Sequence, residues 1–277
     1  MTDKVVYVRN PTRLYAIELA DPAWRASIGY LACHPHVEGG LAENITLSIR
    51  PNGPFVALCE NGKPPRNFAA IDEVREHLHG RFFLESMPVD RPLLHAACLK
   101  YKDRRVLIVG PKNAGKSTLT LALGLAGFAI EGDENVLIDL HGVTARPRAC
   151  RVKESSFSVL PILAPLTENT AFITDFHGRK IYNVPPDLLG QPWRIATGKV
   201  DLIIVIHANH GGMSSIRPLP PLGLTQEIMA ETAFPAAGKA LGVAAIARMV
   251  SGAAGYDLSS GDLWGAVACI KAVLSAE

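Results

Sequence analysis

Two periodicities of apolar and polar side chains divide the N-terminal part of the chain into short elements. Apolar and polar residues alternate over 45–49, which is the period of a strand with one buried face. Apolar side chains at helical spacing predict an amphipathic helix over 71–83. Shorter apolar runs between Pro- and Gly-rich turns predict strands at 5–8 and 55–58. We therefore expect this region to mix strands with a helix.

The pattern changes near residue 93, where the apolar runs become continuous. A short apolar run at 106–109 predicts a strand at the centre of a sheet, and a longer apolar run at 202–206 predicts a second buried strand over 200–207. A Leu- and Ala-rich helix is predicted shortly after the first run. The full set of predictions here is strands at 94–99, 128–130 and 136–140, helices at 116–125, 225–250 and 259–275, and a Pro-rich region of loops at 145–195.

The composition fits a globular α/β protein and narrows its partners. Of the 277 residues, 48% are hydrophobic and 19% are charged, which allows a sizeable core. We expect an α/β fold in which a smaller mixed N-terminal region, residues 1–92, precedes a domain over residues 93–277. The formal net charge of +2 argues against nucleic acid as a partner. No apolar run is long enough for a membrane span, so no membrane partner is expected.

The cysteines point to a reducing compartment. There are five, they are widely scattered, and none forms a Cys-x-x-Cys pair. This use of cysteine is typical of reduced thiols in a cytoplasmic protein. The first residues also lack the apolar run of a signal peptide, so we expect a cytoplasmic location. The sequence leaves open whether the protein forms a homo-oligomer.

The segment between the strand at 106–109 and the helix that follows carries the clearest chemistry. Glycines at its two ends allow backbone N–H groups to turn inward, and together with a helix N-terminus these groups attract a polyphosphate. Lys116 is expected to reach the β- and γ-phosphates, Ser117 to coordinate Mg²⁺, and Thr118 to touch the α-phosphate. The motif reads Gly110, Pro111, Lys112, Asn113, Ala114, Gly115, Lys116 and Ser117, which is the spacing of a P-loop for a nucleoside triphosphate.

Phosphoryl transfer also needs acidic groups beside the loop. Asp133 and Glu134 follow the next predicted strand, at the end that would lie beside the loop in a parallel sheet. One carboxylate would take a proton from an attacking hydroxyl, and the other would hold Mg²⁺. Spacing alone does not separate this interpretation from an acidic turn in solvent. Asp139 closes an apolar strand as a Walker B carboxylate does, but a simple strand-end cap is the favoured interpretation.

Taken together, these segments resemble the core of the HPr kinase/phosphorylase family. The resemblance rests on residues 94–98, 106–119, 126–128 and 132–134. It is closest to the smaller HPr-kinase-related proteins, including the lasso-peptide kinases. The resemblance implies a P-loop kinase core of the HPr kinase/phosphoenolpyruvate carboxykinase type, with ATP and Mg²⁺ as cofactors. A helix start at Tyr256–Leu258 fits the same family.

The resemblance also implies a role for each matched residue. Asp133 would be the general base, and Glu134 would hold Mg²⁺ together with Ser117. Lys116 would contact the phosphate in transfer. His95, on the strand before the loop, would support that phosphate; without the resemblance, a histidine on an apolar strand is more often a core residue.

These features leave several classes of function. The first is an ATP-dependent kinase that transfers the γ-phosphoryl group to a hydroxyl, with a Ser of a peptide or small protein as the expected acceptor and free serine as the small-molecule variant. The second is an ATPase or GTPase switch, although the sequence contains no Asn-Lys-x-Asp guanine reader. The third is a non-catalytic nucleotide-binding regulator, suggested by Glu134 where the family usually has a second Asp. The phosphorylase motif and the C-terminal helix that grips HPr are not found, so the acceptor and phosphorolysis stay open.

Overall fold

The computed structural model describes residues 4–9, 13–31, 43–86, 91–145, 149–170, 172–174, 178–191, 196–235 and 238–276. The α-helices in these residues are α1 (Arg25–Gly29), α2 (Ile71–Ser86), α3 (Lys116–Leu125), α4 (Leu163–Thr167), α5 (Pro221–Ala230), α6 (Lys239–Ser251) and α7 (Leu263–Ala276). The strands are β1 (Val5–Arg9), β2 (Arg13–Leu19), β3 (Glu43–Asn52), β4 (Phe55–Glu60), β5 (Arg66–Phe68), β6 (Leu93–Leu94), β7 (Ala96–Tyr101), β8 (Arg104–Val109), β9 (Ala129–Gly132), β10 (Val136–Asp139), β11 (Gly142–Ala145), β12 (Cys150–Lys153), β13 (Phe172–Thr174), β14 (Lys180–Val184), β15 (Ala196–Gly198), β16 (Leu202–Ala208), β17 (Ser215–Pro218), β18 (Thr232–Ala233) and β19 (Ala254–Ser260).

The chain divides into two compact units, each with several stretches of sequence. The first unit consists of Met1–Met87, Arg151–Phe157 and Ile162–Pro185, and the second of Pro88–Cys150, Ser158–Pro161 and Pro186–Glu277. The predicted division into residues 1–92 and 93–277 treats each domain as one continuous segment, and it stays a prediction. The fold as a whole is mixed α/β with several sheets.

The first unit has a five-stranded sheet in the order β1-β2-β3-β4-β5. The alternation predicted at 45–49 is confirmed, because Leu47 and Ile49 are fully buried and belong to one core cluster. Val74 and Leu78 of α2 complete that core, which confirms the predicted amphipathic helix. The prediction of loops throughout 145–195 is wrong: β12, β14 and β13 form a three-stranded sheet there.

The second unit contains a six-stranded sheet in the order β17-β19-β16-β8-β7-β9 and a five-stranded sheet in the order β15-β11-β10-β6-β18. Apolar residues of β7, β8 and β16 share one core cluster with residues of β10, β11, α5 and α6. At the centre, β8 runs parallel to β16, with Val109 opposite Val205. The two continuous apolar runs of the sequence are therefore neighbouring buried strands, as their composition predicts.

The C-terminal region differs from its prediction in two places. The helix predicted at 225–250 is two helices, α5 and α6, and β18 and Pro235 lie between them; a proline in this segment is incompatible with one continuous helix. The helix start expected at Tyr256–Leu258 is wrong, because these residues lie in β19, which pairs parallel with β16 along its whole length. Within the described ranges, no helix combines the length and the apolar character that crossing a bilayer needs.

Candidate functional site

The turn from β8 into α3 is called the glycine loop here (Gly110–Gly115). Gly110 has a φ of +157°, and a Cβ on it would lie 2.8 Å from both the Cγ2 atom and the carbonyl oxygen of Ile206 on the neighbouring strand β16. Only glycine therefore fits between the two strands. Gly115 has a φ of +93° and stands at the N-cap position of α3, where it has no side chain to cover the first N–H groups of the helix. Those N–H groups are the kind that bind a phosphate.

Lys116 begins α3 and lies folded across the glycine loop. The residue is only 6% exposed. Its ammonium group donates hydrogen bonds to the carbonyl oxygens of Gly110 and Pro111, the second at 3.0 Å. The positive charge is therefore held over the loop instead of extending into solvent. The other loop residues predicted to bind nucleotide differ in burial: Pro111, Lys112, Asn113 and Gly115 are exposed, Ala114 is buried, and Ser117 and Thr118 are half-buried.

Three strands bring the predicted site residues to one edge of the six-stranded sheet. β8 and β9 each pair antiparallel with β7, which lies between them, so β8 and β9 point in the same direction. The carboxyl end of β8 leads into Gly110, the carboxyl end of β9 leads into Asp133, and the amino end of β7 follows His95. All three ends lie at the same edge. The two strands are not neighbours, because β7 lies between β8 and β9, but their carboxyl ends still share this edge.

A hydrogen bond joins the loop helix to the acidic turn after β9. The Oγ of Ser117 donates to Oδ2 of Asp133 at 2.7 Å. Asp133 is 3% exposed, so this contact lies inside the protein. Complete burial and then the charge of Asp133 raise the pKa of the Cys150 thiol. The acidic turn is therefore not a solvated loop, which was the alternative that spacing left open.

The Ser117–Asp133 pair also has the chemistry of a Mg²⁺ site. A hydroxyl and a carboxylate are hard oxygen ligands, and Mg²⁺ bound to a nucleotide commonly takes one or two protein ligands alongside phosphate oxygens and waters. In P-loop proteins a loop Ser or Thr and an Asp fill this role. Among the residues that the structure describes, no group of three His, Cys, Asp or Glu side chains could hold a metal by itself. The pair fits a metal that is shared with phosphate.

His95 contacts the same acidic turn through its ring. Glu134 has a φ of +88°, which is rare for a residue with a side chain, and its carbonyl oxygen lies 3.2 Å from Nδ1 of His95. Because a carbonyl only accepts, Nδ1 carries the hydrogen and Nε2 has the lone pair of the neutral ring. Burial and then the charge of Lys116 lower the pKa of His95. The ring is therefore neutral at neutral pH.

Glu231 belongs to this cluster, although the sequence pattern did not single it out. Its carbonyl oxygen accepts a hydrogen bond from the backbone N–H of His95 at 2.9 Å. Burial lowers the pKa of the Lys116 ammonium, and the carboxylate of Glu231 is the largest opposing influence, ahead of Asp133 and Glu134. A carboxylate at a helix C-terminus is unfavourable beside the negative end of the helix dipole, so a Glu at that position stands out in a sequence. That signal was hidden because the predicted helix 225–250 placed Glu231 in its interior.

Asp139, the alternative to Asp133 and Glu134 as the acidic residue of the site, stabilises a local turn. Its Oδ1 accepts hydrogen bonds from the backbone N–H groups of His141 at 2.7 Å and Gly142 at 3.1 Å, so it caps the turn between β10 and β11. β10 pairs with β6 so that Val136, at the opposite end of β10, stands beside Leu94. Asp139 therefore lies at the end of β10 that is remote from His95.

The comparisons with known proteins add little to this geometry. No protein-family model matches the chain, and no curated protein matches it. Among solved structures, the HPr(Ser) kinase/phosphatase from Coxiella burnetii matches with a TM-score of 0.26 and 20% sequence identity, covering 47% of this chain and 73% of that one. A likeness at this level carries no argument about function.

Proposed function

We propose that the protein is an ATP-dependent phosphotransferase that moves the γ-phosphoryl group to a hydroxyl, with a Ser of a peptide or small protein as the acceptor. The observation that carries the proposal is the Ser117–Asp133 hydrogen bond, which stands beside a buried lysine at the start of a helix. A polyphosphate cradle, a hydroxyl for Mg²⁺ and a carboxylate are three parts that phosphoryl transfer requires. The resemblance to the HPr kinase family agrees with the proposal.

Nucleotide binding is assigned to the glycine loop and the first turn of α3. The inward N–H groups and the Lys116 ammonium would contact the β- and γ-phosphates, and Thr118 would contact the α-phosphate. Mg²⁺, when bound, would neutralise charge on the β- and γ-phosphates. Ser117 would be its ligand, with Glu134 as the acidic partner. Catalysis would then depend on positioning and charge stabilisation.

The acceptor hydroxyl must lose its proton as the new O–P bond forms and the bond from phosphorus to the leaving oxygen of ADP breaks. We assign this proton to Asp133, the base that the family resemblance implies. The neutral ring of His95 offers Nε2 as a second acceptor at the same edge of the sheet. The two assignments differ in their pH dependence, because only the imidazole has an ordinary pKa near neutrality.

Phosphate transfer with a matched pair of variants tests the proposal. Purified protein is incubated with MgATP labelled at the γ-phosphate and a panel of Ser-containing peptides, with free L-serine as a separate reaction. We expect labelled phosphoserine from the wild type, loss of transfer in Asp133→Asn with nucleotide still bound, and transfer by Asp139→Asn. Asp139→Asn is the control because it changes the same charge at a strand end but keeps an oxygen for the turn.

Other results would assign the chain to a different class. Normal transfer by Asp133→Asn would remove Asp133 as the base and leave His95. Hydrolysis of ATP to phosphate with no labelled acceptor would favour the ATPase switch. Tight MgATP binding with neither transfer nor hydrolysis would favour the non-catalytic regulator, and label on free serine alone would replace the peptide acceptor by a small molecule.

A further inference from the structure

Helix α7 begins at the same edge of the six-stranded sheet as the glycine loop. β8, β16 and β19 run parallel, so their carboxyl ends share that edge, and α3 follows β8 as α7 follows β19. β19 lies two strands from β8, on the side opposite β9. At the usual spacing of neighbouring strands, the two strand ends are roughly 10 Å apart. Because α7 also packs against α3, the first turns of the two helices are neighbours at this edge.

Hydrogen bonds fix the first turn of α7. The loop from β16 to β17 passes the carboxyl end of β19, and Ser214 in this loop accepts hydrogen bonds at its Oγ from the N–H groups of Gly261 and Asp262, both at 3.1 Å. The same hydroxyl donates to the carbonyl oxygen of Asp262 at 2.6 Å. Asp262 in turn accepts the N–H of Gly265 at its Oδ1 at 2.5 Å, as a helix N-cap does. The backbone of Trp264 therefore lies in a capped and anchored turn.

The side chain of Trp264 lies on the flank of α7 that faces α3. Trp264 and Lys271 are seven residues apart and so share one face of the helix. The ammonium of Lys271 is 5.8 Å from the ring centre of Tyr101 on β7, and β7 lies beyond β8 as seen from β19. That face of α7 is therefore directed across β16 and β8 towards α3. Trp264 is 52% exposed, so a large aromatic ring is open to solvent beside the glycine loop.

The arrangement of α3 gives the bound phosphate chain a direction. Ser117 faces β9, where its hydroxyl donates to Asp133, and Gly124, seven residues later on the same flank, closely approaches Ile130 of β9. Thr118 is turned by about 100° around the helix from Ser117 and so leaves that flank. The proposed function places the γ-phosphate beside Asp133 and the α-phosphate beside Thr118. The ribose and base then extend away from β9, towards β16, β19 and α7.

We propose that Trp264 is the platform on which the base of the bound nucleoside triphosphate stacks. Every nucleobase has a flat π-face, and stacking on an exposed indole removes apolar surface of both rings from water. The acceptor would approach from the opposite end of the nucleotide, beside Asp133, so the base is the occupant that fits the position of Trp264. The inference rests on the proposed function, because it requires the phosphates to lie in the glycine loop.

The test compares a ligand that has a base with one that has phosphates alone. Isothermal titration calorimetry measures the binding of MgATP and of magnesium tripolyphosphate to the full-length protein. In Trp264→Leu, which keeps an apolar side chain without a π-face, we expect the affinity for MgATP to fall roughly 5- to 100-fold and the affinity for tripolyphosphate to stay unchanged. Trp264→Phe, with a smaller ring, should recover most of the loss. Saturating MgATP should also change the tryptophan fluorescence of the wild type, and this change should be absent in Trp264→Phe.

A matched control changes an exposed apolar residue at the other edge of the sheet. Leu222 is 73% exposed in the first turn of α5. This helix follows β17, which runs antiparallel to β19, so α5 begins at the edge opposite the glycine loop. Leu222→Ala should therefore bind both ligands as the wild type does. A loss of MgATP affinity in Leu222→Ala equal to that in Trp264→Leu would overturn the assignment of Trp264.

The outcomes separate this inference from the proposed function. A loss confined to MgATP in Trp264→Leu supports stacking of the base. An unchanged affinity for MgATP, or an equal loss for MgATP and tripolyphosphate, overturns the role of Trp264 and leaves the phosphate site of the proposed function in place. A wild type that binds neither ligand overturns both. If Trp264→Leu does not fold, the wild type alone decides: saturating MgATP that leaves its tryptophan fluorescence unchanged overturns the inference.

Discussion

Replacing Gly110 by alanine tests whether the glycine loop needs the close approach seen between β8 and β16. The added Cβ would stand 2.8 Å from the carbonyl oxygen of Ile206, and real Cβ atoms essentially never come that close. The carbonyl belongs to a buried strand that pairs on both sides, so it cannot swing away as a flexible side chain would. The loop or the strand must shift instead.

The size of the effect follows from two contributions. Overpacking a well-filled site costs about 1–3 kcal/mol. The φ of +157° at Gly110 is a conformation that residues with a side chain rarely adopt, which adds roughly 1–3 kcal/mol. We therefore expect Gly110→Ala to lower the free energy of unfolding by about 2–6 kcal/mol. Nucleotide binding should weaken as well, because the shift displaces the loop that Lys116 covers.

Urea unfolding of Gly110→Ala and of a matched glycine variant measures this effect. Gly127, at the end of α3, has a φ of +97°, but a Cβ there would meet nothing within 4 Å. Gly127→Ala should therefore show the backbone cost alone, about 1–2 kcal/mol. Equal stability losses in the two variants would refute the argument from the Ile206 contact. So would a Gly110→Ala protein as stable as the wild type.

Three further predictions concern burial and charge. Arg105→Ala should lower the free energy of unfolding in urea by about 3–5 kcal/mol, because it leaves the nearly buried Glu131 without its bidentate partner. The control Arg217→Ala removes an exposed ion pair and should lower it by no more than about 1 kcal/mol. Similar losses of stability in the two variants would contradict the reasoning from burial. The pKa of His95 is lowered in the folded state, so the unfolded chain binds more protons than the folded one as the pH falls below about 6.5. The free energy of unfolding should therefore decrease with falling pH, and the decrease should be smaller in His95→Asn. The same pH dependence of stability in both proteins would show that His95 does not titrate this way. Thiol labelling followed by peptide mass mapping should separate the half-buried Cys59 and Cys269, which react first, from the fully buried Cys98 and Cys150, which react only on unfolding. Reaction of Cys98 or Cys150 in the folded protein would show that their burial is transient.

The elements nearest the loop could be predicted because local rules and tertiary packing agree there. The helix predicted at 116–125 is α3 itself, since a glycine precedes it, Gly127 follows it, and its leucines and alanine are good helix formers. β8 and its neighbour β16 contain continuous apolar runs, and such runs are typical of strands at the centre of a sheet. The positions of His95 and Asp133 at one edge follow from these strands.

The remaining features of the fold and the site depend on long-range strand pairing, which a pattern of apolar and polar residues does not predict. Whether β9 lies beside β8 or beyond β7 is decided by long-range pairing, and both arrangements put Asp133 at the same edge. The three-stranded sheet of β12, β14 and β13 was missed because its strands are short and lie among prolines. Glu231 could not be placed until the break between α5 and α6 was known. Its carbonyl oxygen comes next to His95 through tertiary packing alone.

The central claim is that the glycine loop and Lys116 hold MgATP, and isothermal titration calorimetry tests it most directly. MgATP is titrated into the wild type, into Lys116→Met, and into Lys63→Met, a control that removes an exposed lysine paired with Glu60. Charged hydrogen bonds are worth about 1.5–3 kcal/mol, so we expect binding by the wild type and by Lys63→Met and a loss of roughly 10- to 100-fold in Lys116→Met. No binding by the wild type, or equal binding by Lys116→Met, would contradict the account.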